Sequence, residues 1–240
     1  MRINQLFLIL LLVLCVPAAA QAKIVIASGA GYRSLVDDLT ASYTKDTGNQ
    51  VERIYGNMSR VTAQASVSGA VDMVIGDLGF LEKAQLDFKT TDKIGNGKLV
   101  VIFPKGSAFN GEADLLASKV TRIALPDTKR AIYGKAALQY MRSKGIYDKI
   151  ESKLLIVATV PQAASYVIAG EVDYALINLT HARKISKSIG GFSLIDENTY
   201  SPISIVIGQL KSSTNKKECD TFLKFLKTDK AQKITASHGM

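Results

Sequence analysis

Along this chain, short unbroken apolar runs alternate with apolar residues at helical spacing, and glycines mark most of the boundaries. Residues 23–27 (Lys-Ile-Val-Ile-Ala) predict a strand, followed by the small-residue turn Ser28-Gly29-Ala30-Gly31. Leu35, Leu39 and Tyr43 then recur four apart, and Gly48 supplies a helix stop. Residues 51–55 read as a second strand. Gly56-Asn57-Met58-Ser59 turns into a short helix that carries Val61, Ala65 and Val67 inward and ends at Gly69, before a third strand over 71–75.

The rest of the chain repeats this style with different residues. Residues 98–103 form an apolar strand closed by Pro104 and Gly106, and 122–125 form another. The loop 126–130 leads into a helix bearing Ala131, Ala137, Leu138 and Met141, stopped by Gly145. After a strand at 154–158, Pro161 suits the first turn of a helix that runs to Gly170. Residues 174–177 form a strand that opens at Asn178-Leu179-Thr180 into a helical stretch; 204–207 form a late strand, and 219–226 and 230–236 the final helices. Such β/α alternation with apolar strands predicts mainly parallel sheets flanked by helices. Two similar halves predict an α/β protein of two lobes with a cleft between them. The first lobe is discontinuous, 23–103 and 204–240, and the second is 104–203, with crossovers expected near 98–103 and 201–207.

The amino terminus has its own pattern. Arg2 precedes an eleven-residue apolar run over 6–16, Pro17 breaks it, and Ala20-Gln21-Ala22 sets small residues where a signal peptidase reads. The run is well short of the ~20 residues of a spanning helix. A cleaved signal peptide over 1–22 and a periplasmic destination are expected. Leu14 before Cys15 is too large for a usual lipoprotein signal. Cleavage leaves Cys219 as the one cysteine, so the exported monomer must rest on its apolar core without an internal disulfide.

The chain carries a net charge of +9, or +8 without Arg2, which favours anionic partners. Its lysines are scattered, no run of five basic residues occurs and tryptophan is absent, so no nucleic-acid binding is expected. Catalytic groups are sparse. His181 and His238 are the two histidines, and no H-E-x-x-H, C-x-x-C or G-x-S-x-G motif occurs. His181 reads as a helix-surface residue; neither a metal site nor a cofactor is expected.

Gly29-Ala30-Gly31 resembles part of a dinucleotide fingerprint but lacks its third glycine. It makes better sense as a strand-to-helix turn, because a helix's first turn has unpaired N–H donors and a partial positive charge. Four more turns share that logic: Asn57-Met58-Ser59, Lys129-Arg130-Ala131, Val160-Pro161-Gln162 and Asn178-Leu179-Thr180. Each stands at the C-terminal end of an expected strand, where open α/β sheets bind ligands. Divided between two lobes, they suit a cleft receptor for a small oxyanion.

From residue 24 to 239 the chain is similar to the molybdate/tungstate-binding receptors of ABC importers, within the type II periplasmic binding protein fold. The resemblance lies in the order and spacing of 24–34, Asp46-Thr47-Gly48, 55–61, Gly69-Ala70-Val71-Asp72, 98–105, 123–138, 154–173 and 222–239. It implies a monomeric substrate-binding component, no cofactor, and an inner-membrane permease as partner. It also implies ligand contacts from Gly29, Ala30, Gly31, Met58 or Ser59, Arg130, Ala131, Val160 and Asn178. Gly31 stands where that family has a serine, Asn178 where it has a tyrosine, and Arg130 where it has a small residue. An arginine clasps carboxylates and phosphates with paired hydrogen bonds, so a carboxylated or phosphorylated organic anion is the alternative ligand. Two further readings stand beside these: an exported binding factor without a transporter, and an enzyme on the same fold, against which the absence of a general base beside the turns argues.

Overall fold

In the computed structural model, which describes residues 23–240, two five-stranded sheets share one strand plan. The first is built from β1 (Lys23–Gly29), β2 (Gln50–Gly56), β3 (Met73–Asp77) and β4 (Phe88–Gly97), with α1 (Arg33–Thr47), α2 (Met58–Val67) and α3 (Leu78–Lys83) between them. The second takes β5 (Leu99–Phe103), α4 (Glu112–Leu116), β6 (Ile123–Pro126), α5 (Ile132–Ser143), α6 (Tyr147–Ile150), β7 (Leu154–Val157), α7 (Val160–Ile168), β8 (Tyr174–Asn178), α8 (Leu179–Lys184) and β9 (Gly191–Leu194). The chain then returns to the first sheet through β10 (Ile203–Leu210) and ends in α9 (Lys216–Leu226) and α10 (Asp229–Ser237).

The sheet orders are β2-β1-β3-β10-β4 and β7-β6-β8-β5-β9. In each, three strands pair in parallel and the fourth position is antiparallel to both of its neighbours. Those two antiparallel strands, β10 and β5, are the ones that carry the chain from sheet to sheet. Both sheets are therefore mixed, with the parallel part leading into the helices.

Glycine ends α1 as its stop signal requires: Gly48 has φ +76° and donates its N–H to the Thr44 carbonyl at 2.8 Å. Behind α1, the Tyr43 ring meets Phe222 edge-on at 5.0 Å, so α9 closes the first sheet's outer layer. The carboxylate of Asp72, nearly wholly buried, ties three segments together. It accepts from the Val25 amide at 2.8 Å, the Ser213 hydroxyl at 2.6 Å and the Asn215 side chain at 3.2 Å. The strand β3 begins at Met73, two residues later than the apolar run suggests, although the Asp72 backbone already bonds Val25 and Leu210.

Three expectations need correction. Residues 98–103 do not belong with the first sheet: β5 pairs with β8, Leu99 opposite Asn178, and with β9. The passage between sheets thus lies at Lys98, and the return between Leu194 and Ile203. The strand β4 was not expected at all. It is a half-exposed edge of threonines and charges, so no apolar run marks it. Val67 faces out, 83% exposed at the end of α2. The signal-peptide expectation, residues 1–22, lies outside the described residues. Among those described, no helix is long and apolar enough to cross a membrane.

Candidate functional site

Four strand-to-helix turns converge on one cavity of about 30 Å³. Gly29, Ala30, Gly31 and Tyr32 enter it from the 3-10 turn that precedes α1; Gly56, Asn57 and Met58 enter from the start of α2. From the second sheet come Ala131, Ile132 and Tyr133 at the start of α5, with Thr159 and Val160 at the start of α7. Asn57 caps α2, its Oδ1 accepting from the Arg60 amide at 2.9 Å, and Thr159 caps α7 by accepting from Gln162 at 3.4 Å. Capping satisfies one donor per helix and leaves the other first-turn amides without an intrahelical partner.

No lining residue is charged. The cavity therefore holds no carboxylate to repel an anion and no side-chain cation to pair with one. Its accessible lining is mostly apolar, and what favours an anion there is the positive end of each helix that begins at it. On the same measure a single water needs ~10–15 Å³, so the cavity admits a compact ion of a few heavy atoms.

Six of the nine residues expected at the site line the cavity: Gly29, Ala30, Gly31, Met58, Ala131 and Val160. Met58 is buried, its sulfur turned toward Gly29 and its methyl packed on Gly76. Asn178 lies one layer behind. It is fully buried and donates from Nδ2 to the Gly31 carbonyl at 3.0 Å, while its Oδ1 has no hydrogen-bond partner. Ser59 and Arg130 stand outside the cavity. Ser59 is exposed, and its amide donates to the Arg130 carbonyl at 3.4 Å, so the two residues join the halves through backbone alone. The Arg130 side chain is 69% exposed and its Nε lies 3.9 Å from Asp127 Oδ2. Asp127 Oδ1 also accepts the Arg130 amide at 2.8 Å, so the side chain stands beside Asp127 and not among the residues that line the cavity.

The sequence reading missed Tyr133, Ile132, Gly56 and Thr159. Thr159 was legible as an N-cap before Val160-Pro161; Tyr133 and Ile132 gave no signal beyond membership in an apolar helix face. Tyr32, directly after the Gly29-Ala30-Gly31 turn, is 1% exposed and borders the cavity. Neither histidine lines the cavity. His181, half-buried on α8, has its imidazole pushed down to about 4 by burial, and His238 bonds Asp38 at 2.8 Å. Among the described residues no group of His, Cys, Asp and Glu is arranged to hold a metal ion.

A model of the bacterial extracellular solute-binding proteins matches residues 24–240. The molybdate-binding protein ModA of Rhodobacter capsulatus is 24% identical over 244 residues, covering 100% of this chain and 96% of its own. The periplasmic molybdate-binding protein of Azotobacter vinelandii superposes with a TM-score of 0.83 at 23% identity, covering 90% of this chain and 97% of that one. The sulfate-binding protein SubI of Mycobacterium tuberculosis superposes at 0.75 with 17% identity, covering 91% and 86%. At these identities the structural likenesses establish the fold.

Proposed function

The chain belongs to the bacterial extracellular solute-binding proteins, and we propose that it captures a bare tetrahedral oxyanion of the molybdate type for an ABC importer. Relatives of this kind are binding proteins, not enzymes. The observation that carries the ligand reading is the charge-free cavity of about 30 Å³ ringed by four helix beginnings. A compact dianion suits a small space without side-chain charge, where converging helix N-termini supply the positive potential. The outward turn of Arg130 favours it over a carboxylated or phosphorylated organic anion, whose recognition would use that guanidinium.

In this reading the two sheets are two lobes, 23–97 with 203–240 and 98–202. The anion touches both only when they are shut. Binding therefore shifts the population toward the closed form that an inner-membrane permease recognises. Export follows from residues 1–22, whose removal after Ala22 delivers a monomer beginning at Lys23 to the periplasm.

Calorimetric titration with molybdate, tungstate, sulfate, phosphate and small carboxylates tests the ligand class. A tetrahedral oxyanion should bind and raise the melting temperature; at 100 times its dissociation constant it adds about 2.7 kcal/mol. Response only to carboxylates or organic phosphates would refute the reading.

A further inference from the structure

Tyr32 and Tyr133 come from opposite halves of the molecule, from the turn before α1 and from the start of α5, and their hydroxyl oxygens meet at 2.5 Å. Both residues are at most 2% exposed, and both border the cavity. Burial pushes both phenols far up, so both hydroxyls keep their protons. The pair sits on Gly97, the last residue of β4 before the chain crosses to the second sheet. A Cβ on Gly97 would overlap the Tyr133 hydroxyl, and would lie 2.8 Å from Ile203 Cγ2 and 3.0 Å from the Tyr32 hydroxyl. Gly97 is opposite Ile203, the first residue of the returning strand. On the other side of the crossing, the Leu99 amide donates to the Tyr200 hydroxyl at 3.1 Å. One buried hydroxyl pair thus touches the ligand cavity, both halves and a crossover.

We propose that the Tyr32–Tyr133 hydroxyl bond, seated on the bare backbone of Gly97, is the latch that holds the two lobes closed, and that Gly97 is glycine because the latch leaves no space for a side chain. Tyr32 and Tyr133 act as positioning residues: they set how long the closed form lasts, and through it how fast the bound ion leaves. The inference rests on the closing-receptor reading above and deepens it. A latch formed only after the lobes meet governs release, not encounter. Removing one hydroxyl strands the other in a dry site, whereas removing both leaves two apolar rings in contact and restores part of the loss.

The latch keeps much of the unliganded population closed before the anion adds its own contacts, so small-angle X-ray scattering on the full exported chain tests it without any ligand. Gly97→Ala should scatter as a more extended particle than wild type, and adding Tyr133→Phe, which deletes the obstructing hydroxyl, should reverse at least part of the expansion. Unchanged scattering for Gly97→Ala overturns the latch, as does an expansion that Tyr133→Phe leaves untouched. Circular dichroism separates opening from misfolding, and Tyr32→Phe serves as the second variant if Gly97→Ala does not fold. With molybdate as the probe, Tyr133→Phe should release the ion roughly 5- to 150-fold faster at an unchanged association rate, and the double Tyr32→Phe/Tyr133→Phe variant should release it more slowly than either single one. A purely structural role would lower the melting temperature and leave the release rate alone, which also overturns the proposal. If molybdate does not bind wild type at all, the oxyanion reading falls and the scattering comparison still decides the latch.

Discussion

The side chain of Asn178 crosses from the end of β8 to donate to the carbonyl of Gly31, 3.0 Å away in the turn before α1. This contact makes Gly31 a matter of space. A Cβ there would lie 3.0 Å from Asn178 Oδ1 and 3.2 Å from the Val160 side chain. Where the resembling receptors have a serine and a tyrosine, this chain has a smaller residue and a shorter one. Together they fill one volume.

Gly31→Ser, which restores the hydroxyl of the resembling family, should therefore weaken molybdate binding by roughly 5- to 150-fold, since over-packing costs about 1–3 kcal/mol. Asn178→Ala should also weaken it, by stripping the Gly31 carbonyl of its donor at a cost of ~1–3 kcal/mol. Combined, the two changes should cost less than the sum of each alone, because the alanine vacates the space that the serine needs. Calorimetric titration of the three variants checks this.

Arg130→Ala should change molybdate affinity less than threefold. The guanidinium is exposed beside Asp127, and Arg130 meets the other half of the molecule only through its carbonyl, which accepts from the Ser59 amide outside the cavity. The small residual effect should fade as added salt screens the field across the ~10 Å Debye length of 0.1 M electrolyte. Titrations at low and high ionic strength measure it; a large, salt-insensitive loss would return the side chain to the ligand.

His181 ties stability to acidity. Burial holds its imidazole near 4 in the folded chain, against 6.5 for the free side chain. The unfolded chain binds a proton first, so stability from this residue is fully present above about pH 6.5 and is lost as pH falls toward 4. The slope should approach ~1.4 kcal/mol per pH unit within that window. Urea midpoints between pH 7 and 4 should show a shallower acid loss for His181→Leu than for wild type.

Cys219 should be silent in the native protein. It is fully buried on α9, its thiol pushed up to about 11 chiefly by burial, with the Ser213 hydroxyl 3.7 Å away. In a chain beginning at Lys23, which lacks Cys15, a colourimetric thiol reagent at pH 8 should find no reactive group until denaturant is added, and then one. Rapid labelling of the folded chain would contradict the packing described.

The sequence alone was sufficient for most of the element plan and for the turns that line the cavity. Buried strands need unbroken apolar runs, and helices that end on a left-handed residue need glycine, so β1, α1 and α7 could be read directly. A helix beginning binds anions through its backbone, and for that reason Gly31, Met58, Ala131 and Val160 were legible as candidates without any side-chain chemistry. Tertiary structure alone decided the rest. A half-exposed edge such as β4 leaves no apolar trace, and Leu99–Phe103 is equally apolar whichever sheet it joins; pairing with β8 settled it. The direction of Arg130 depends on a loop bond to Asp127. The contact of Tyr32 with Tyr133, 101 residues apart, exists only because two sheets close on one glycine. Local pattern records what each segment buries, whereas the meeting of two distant side chains depends on how the segments pack.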